Sequence, residues 1–138
     1  MTELTRIWER LFLGGRLDAE SLSRSNPFEI STVFSLCEEP VIRQNPAINY
    51  LHFPVRDRES LERGLFDAAL DAIAENIRWG RILVHCGSGI SRGPIFAAAW
   101  MHAAGYKNID ESLQEIAVLR PIIAPSEPLL ASVREHLK

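Results

Sequence analysis

Arg81-Ile82-Leu83-Val84-His85-Cys86-Gly87-Ser88-Gly89-Ile90-Ser91-Arg92-Gly93-Pro94-Ile95-Phe96-Ala97-Ala98-Ala99-Trp100-Met101 runs from an apolar strand, through a loop of small residues, into a helix with proline near its start. Backbone N–H groups of such a loop can turn inward as an anion nest, and the first turn of the following helix adds unpaired N–H groups and a partial positive charge. Gly87 and Gly89 permit close approach of a guest, and the planar fork of Arg92 can clasp two oxygens of a phosphoryl group. The same groups would favour a thiolate at Cys86, a nucleophile at the centre of a phosphate trap. Taken singly, Cys86 reads as a small buried hydrophobe and Gly87-Ser88-Gly89 as an ordinary turn. The joint spacing of His85, Cys86, two glycines and Arg92 between a strand and a helix favours the chemical reading.

Outward from the loop, the sequence predicts an opening strand at Leu11 to Gly14, a short helix within Asp18 to Ser25, and strands at Ile30 to Cys37 and Tyr50 to Val55. Leu61, Leu65, Phe66, Ala69, Leu70, Ile73 and Ile77 recur at helical spacing, so Ser60 to Trp79 reads as one amphipathic helix closed by Gly80. Two more helices are expected at Asp110 to Leu119 and Ser126 to His136. The strand, long helix and strand ending at His85 form a βαβ unit, which calls for parallel pairing through a right-handed crossover. The fold class is therefore α/β, a central and mostly parallel sheet flanked by helices. The Cys86 loop, Asp57 and Cys37 should all emerge at the carboxyl ends of its strands.

The 138 residues suit one domain, 1–138, with no disulfide or metal needed to stabilise it. Hydrophobic residues at 46% and charged residues at 24% are ordinary for a soluble protein. A net charge of −3 provides no broad basic field, which argues against a nucleic-acid partner. The chain opens without a signal-peptide core, and no apolar run approaches the ~18 residues of a membrane span. Two cysteines, one wanted as a thiolate, point to a reducing cytoplasmic setting, and no Cys/His spacing suggests a metal. The expectation is a cytoplasmic monomer without cofactor.

The chain resembles the cysteine-dependent protein phosphatases and, among them, the small dual-specificity phosphatases. Their signature His-Cys-x-x-Gly-x-x-Arg is met by His85, Cys86, Gly89 and Arg92. Ile7 to Gly15 resembles the family's opening strand, Tyr50 to Asp57 its general-acid segment, and Leu119-Arg120-Pro121 the approach to its last helix. The resemblance implies that Cys86 attacks phosphorus, that Arg92 binds the phosphoryl oxygens, and that Asp57 protonates the leaving oxygen. Gly87, Ser88, Gly89, Ile90, Ser91 and Arg92 would bind the substrate phosphate. On composition alone Asp57 and Glu59 read as solvated charges between Arg56 and Arg58, and Glu59 is the second choice for the acid.

The sequence departs from the family at Gly93, where Ser or Thr usually follows the signature arginine, and at Ser126, where Asn often follows the proline. Gly93 raises an alternative, a low-turnover module that binds phosphate or phosphopeptides. Relatives that act on polyanions often carry cations inside the loop, and this loop has none. A phosphoprotein or small phosphomonoester substrate is expected, phosphotyrosine first, with phosphoserine and phosphothreonine admitted by a shallow site. His85 is expected to support the loop by hydrogen bonds, not to act as a base, since its side chain should point away from that of Cys86. Trp79 and Trp100 read as packing groups and Trp8 as a candidate for the pocket entrance. Cys37 reads either as a buried strand residue or as a disulfide partner for Cys86 under peroxide.

Overall fold

The computed structural model describes residues 3–138. The expected opening strand is the second arm of a hairpin, in which β1 (Thr5–Trp8) folds back antiparallel on β2 (Leu11–Gly14). Glu9-Arg10 makes the turn without the glycine or asparagine that usually marks one, so Ile7 to Gly15 looks continuous in sequence. The chain continues through α1 (Arg16–Ser21), β3 (Ile30–Ser35), β4 (Asn49–His52), α2 (Arg63–Ile77) and β5 (Arg81–His85). It ends with α3 (Arg92–Ala103), α4 (Ile109–Leu119) and α5 (Glu127–His136).

The five strands lie in the order β1-β2-β5-β3-β4, and all neighbours but the β1 and β2 pair are parallel. The βαβ unit of β4, α2 and β5 is present, but β5 does not pair with β4. It inserts between β2 and β3, with Val84 opposite both Leu13 and Phe34. Burial explains the placement, because Ile82, Leu83 and Val84 are fully buried and need cover on both faces, whereas β4 is only partly covered and suits an edge.

Alternation along the strands divides the apolar residues between two faces. Leu11, Leu13, Phe34, Ile82 and Val84 face Phe66, Ile73, Phe96, Ile116 and Leu129 of the helical layer. Phe12, Val33 and Leu83 face the smaller layer built on Ala19 and Leu22. α3 is apolar on every side because Gly93 to Ala99 are all buried. α2 begins at Arg63, later than Ser60, since the Leu61 carbonyl is taken by the Ser132 hydroxyl at 3.3 Å and by His136 Nε2. It ends at Ile77, leaving Trp79 75% exposed with its indole donating to Glu75, so Trp79 is not the packing group expected. Among the described residues no helix is long and apolar enough to cross a membrane.

The register places Gly14, His85 and Ser35 side by side at the carboxyl end of the sheet. The loops that leave these three strands therefore meet at one edge, with Cys86 at its centre.

Candidate active site

Cys86, 2% exposed, starts a loop that ends at the first turn of α3. The loop's carbonyls are all bonded on its outer side. Gly87 O accepts from the Arg16 amide at 2.8 Å, Ile90 O from the Ala124 amide at 2.8 Å, and Cys86 O from His85 Nδ1 at 3.3 Å. The guanidinium of Arg120, itself only 4% exposed, donates to Gly89 O at 2.9 Å and Ser88 O at 3.2 Å. In a trans peptide the following N–H points opposite the carbonyl. Five consecutive amides, from Gly87 to Ser91, are thus turned inward as a nest for an anion.

Arg120 is the residue that sequence reasoning missed. Its Nη1 also donates to Glu3 O and Thr5 Oγ1, each at 2.7 Å, so one side chain ties the loop to the first strand. Nothing in the neighbourhood Leu119-Arg120-Pro121 announces burial, since Leu119 beside it is half exposed. Gly89 has φ +70°, and a Cβ there would lie 2.6 Å from Arg120 Nη2 and 2.8 Å from the Gly14 backbone. Its place is therefore the back of the loop, where only glycine fits.

A cavity of about 420 Å³ opens in front of the nest, lined by Asp57, Arg58, Cys86, Gly87, Ser88, Ile90, Ser91, Arg92 and the Ala124-Pro125-Ser126 segment. Arg92 Nη1 donates to Val55 O at 3.0 Å and Leu36 O at 3.4 Å, which leaves Nε and Nη2 of the fork for a guest. Asp57, 34 residues away in sequence from Ser91, accepts from its hydroxyl at 2.8 Å. Glu59, the second carboxylate weighed, is exposed and does not line the cavity. Gly93 donates its amide to Cys86 Sγ at 3.4 Å. Trp8 is remote from the entrance, packed edge-on against Trp100 and Tyr106 at 5.4 and 4.8 Å.

Both cysteines are free and buried. Cys37 follows β3, the neighbour of β5, and lines a smaller cavity of about 240 Å³ with Arg16, Glu38, Glu39 and Arg92. Burial pushes its thiol up, the Cys86 charge adds to this, and Arg92 and Arg16 oppose it.

His85 is fully buried, with Nε2 at 2.6 Å from Ser35 Oγ. The Cys86 carbonyl can only accept, so Nδ1 carries the hydrogen and Nε2 accepts from Ser35. Burial lowers the imidazole from 6.5 to about 4, which keeps it neutral and unsuited to catching a proton near neutrality. The unfolded chain binds the extra proton between these values, so this contribution to stability is complete above pH 6.5 and is lost as pH falls toward 4. It amounts to about 3 kcal/mol at most. Urea unfolding at pH 7 and pH 4.5 should show a smaller drop in His85→Gln than in the natural protein. An identical drop in both would assign acid sensitivity to the carboxylates.

Residues 11–138 match the family model "Dual specificity phosphatase, catalytic domain". Among curated relatives, a probable dual specificity protein phosphatase of Dictyostelium discoideum is 26% identical over 137 residues, 99% of this chain and 34% of that protein. Dual specificity protein phosphatase 15 of Homo sapiens is 29% identical over 119 residues, 84% of this chain and 40% of that protein. The chain thus spans well under half the length of these relatives. Among solved structures, DUSP15 superposes with a TM-score of 0.83 at 27% identity, covering 98% of this chain and 85% of that one. A variant of human DUSP28 reaches 0.88 at 20% identity, covering 98% and 94%, a likeness of fold. With the family's signature at the mouth of the nest and its model matched from β2 to the last residue, this chain belongs to the dual specificity phosphatase catalytic-domain family.

Proposed function

We propose that this domain hydrolyses phosphomonoesters of proteins or small molecules, phosphotyrosine foremost with phosphoserine and phosphothreonine alongside, through a phosphocysteine at Cys86. The observation that carries the reading is that Cys86, Arg92 and Asp57, drawn from two distant segments, line one cavity in front of five inward amides. The cavity is open and holds a second cation, Arg58, at its wall, which supports a shallow site for a phosphorylated side chain more than a deep slot. Cys86 Sγ, as thiolate, attacks phosphorus and forms the S–P bond while the bond from phosphorus to the leaving oxygen breaks. The leaving oxygen takes its proton from Asp57. A water then gives a proton back to Asp57 and its oxygen attacks phosphorus, the S–P bond breaks, and inorganic phosphate leaves with the thiolate restored. The nest and Arg92 stabilise the equatorial oxygens in both steps.

Release of nitrophenolate from p-nitrophenyl phosphate in excess EDTA, with trapping of phosphate on Cys86 by acid quench and mass spectrometry, tests the proposal. Turnover that vanishes with EDTA, or a phosphate carried elsewhere, would refute it.

Gly93 sets the rate of the second step in this reading. A hydroxyl there would donate to the departing sulfur. The backbone amide supplies one donor at 3.4 Å, and the Ser91 hydroxyl is engaged with Asp57. A Cβ built on Gly93 meets Leu13, Val84 O and Cys86 Sγ at 3.5, 3.5 and 3.6 Å, ordinary contacts that admit serine. A hydrogen bond to a charged group, made in the transition state, is worth on the order of 10- to 100-fold in rate. Rapid mixing should therefore show a nitrophenolate burst matching the enzyme concentration, followed by a slow phase that Gly93→Ser accelerates. No burst and an unchanged rate in Gly93→Ser would mean that the amide alone suffices.

A further inference from the structure

Asp57 belongs to the segment after β4, yet its carboxylate is held by the phosphate loop. Ser91 Oγ accepts from the Ser126 amide at 2.9 Å, so its hydrogen is free to point at Asp57 Oδ1, 2.8 Å away. The Arg58 amide donates to the same Oδ1 at 3.1 Å and also to Ser126 Oγ at 3.1 Å. Arg58 reaches both acceptors by adopting φ +65°, a left-handed conformation costly for a residue with a long side chain. Ser126 in turn caps α5, accepting from the Leu129 amide. The acid is therefore gripped from the loop and from the helix at once.

Building on the reaction above, we infer that Ser91 is a positioning residue for the general acid: its hydroxyl ties Asp57 to the phosphate loop and reserves Oδ2 as the oxygen that carries the proton. Two donors already point at Oδ1, and a hydrogen placed there would face both of theirs. The proton of the acid form is thus confined to Oδ2. Ser126 fixes the direction of the device, because an amide can only donate, so the Ser91 oxygen receives from it and gives to Asp57. The loop that holds the phosphoryl group and the acid that protonates its leaving oxygen then move as one unit. This matters for rate, since misplacing a reacting group by about 1 Å costs on the order of 100-fold.

The test compares p-nitrophenyl phosphate, whose leaving group hardly needs a proton, with phenyl phosphate, whose leaving group does. In Ser91→Ala the ratio of phenyl to nitrophenyl turnover should fall on the order of 10-fold, and Ser91→Thr, which keeps the hydroxyl, should restore it. In an Asp57→Asn background Ser91→Ala should leave the ratio where Asp57→Asn put it. Equal losses on both substrates, or an undiminished ratio effect without Asp57, would reduce Ser91 to a structural role and overturn the inference. A second measurement is independent of turnover. Amide hydrogen exchange at Ser126 should quicken by on the order of 10-fold in Ser91→Ala, and also in Asp57→Ala, where the hydroxyl loses its acceptor and turns away. Exchange at Ser126 that ignores Asp57→Ala would sink the tether, whereas absence of Cys86-dependent turnover in the natural protein would refute the phosphatase reading alone.

Discussion

Cys86→Ser should lose turnover by on the order of 10⁴-fold or more while the domain still binds inorganic phosphate. A serine hydroxyl is not ionised near neutrality and no base stands ready to activate it, since His85 is buried, bonded through both ring nitrogens and neutral. The groups proposed to bind the phosphate are elsewhere. The amides from Gly87 to Ser91 are oriented by Arg16, Arg120 and Ala124, and the free edge of the Arg92 fork is set by Val55 and Leu36, none of which touches the sulfur. Steady-state assays with p-nitrophenyl phosphate, paired with calorimetric titration of phosphate into natural and variant protein, measure both halves. Substantial activity remaining in Cys86→Ser would remove the phosphocysteine from the mechanism. Loss of phosphate binding together with turnover would show instead that the sulfur holds the loop in shape.

Asp57→Asn should separate substrates by the basicity of what leaves. Phenyl or alkyl phosphates should slow on the order of 10²- to 10⁴-fold, because their oxygen departs only if protonated, while p-nitrophenyl phosphate should lose far less. The amide keeps an oxygen for the Ser91 hydroxyl and the Arg58 amide, so the tether survives and the missing proton is what the comparison reads. Equal losses on both substrates would displace Asp57 from its role. Glu59 offers no substitute, since it is exposed and outside the cavity wall.

Much of this arrangement is legible in the order of the residues. Cys86, the glycine turn and Arg92 lie within seven consecutive positions, and the chemistry proposed for them depends on backbone directions that so short a segment largely dictates. Helical periodicity locates α2, and the chain order of β4, α2 and β5 announces a parallel sheet. Asp57 is legible only with the family pattern in mind, for Arg56-Asp57-Arg58-Glu59 reads by itself as solvated charge. The hairpin of β1 and β2 escapes because its turn carries no turn-forming residue, and Trp79 misleads because an aromatic at a helix end has no local mark of exposure.

The loop from Cys86 to Arg92 and the class of fold are written in contiguous residues, as glycines at a turn, a helix start and an apolar period. The entry of β5 between β2 and β3 is a tertiary outcome: both of its backbone edges pair with neighbouring strands, while Ile82 and Val84 meet one helical layer and Leu83 the other. That insertion brings Asp57, Arg120 and Ser126 to the loop from 34, 31 and 35 residues away, measured to their bonded partners. Hydrogen bonds over such separations form only once the chain has buried its core, so no local pattern of residues records them.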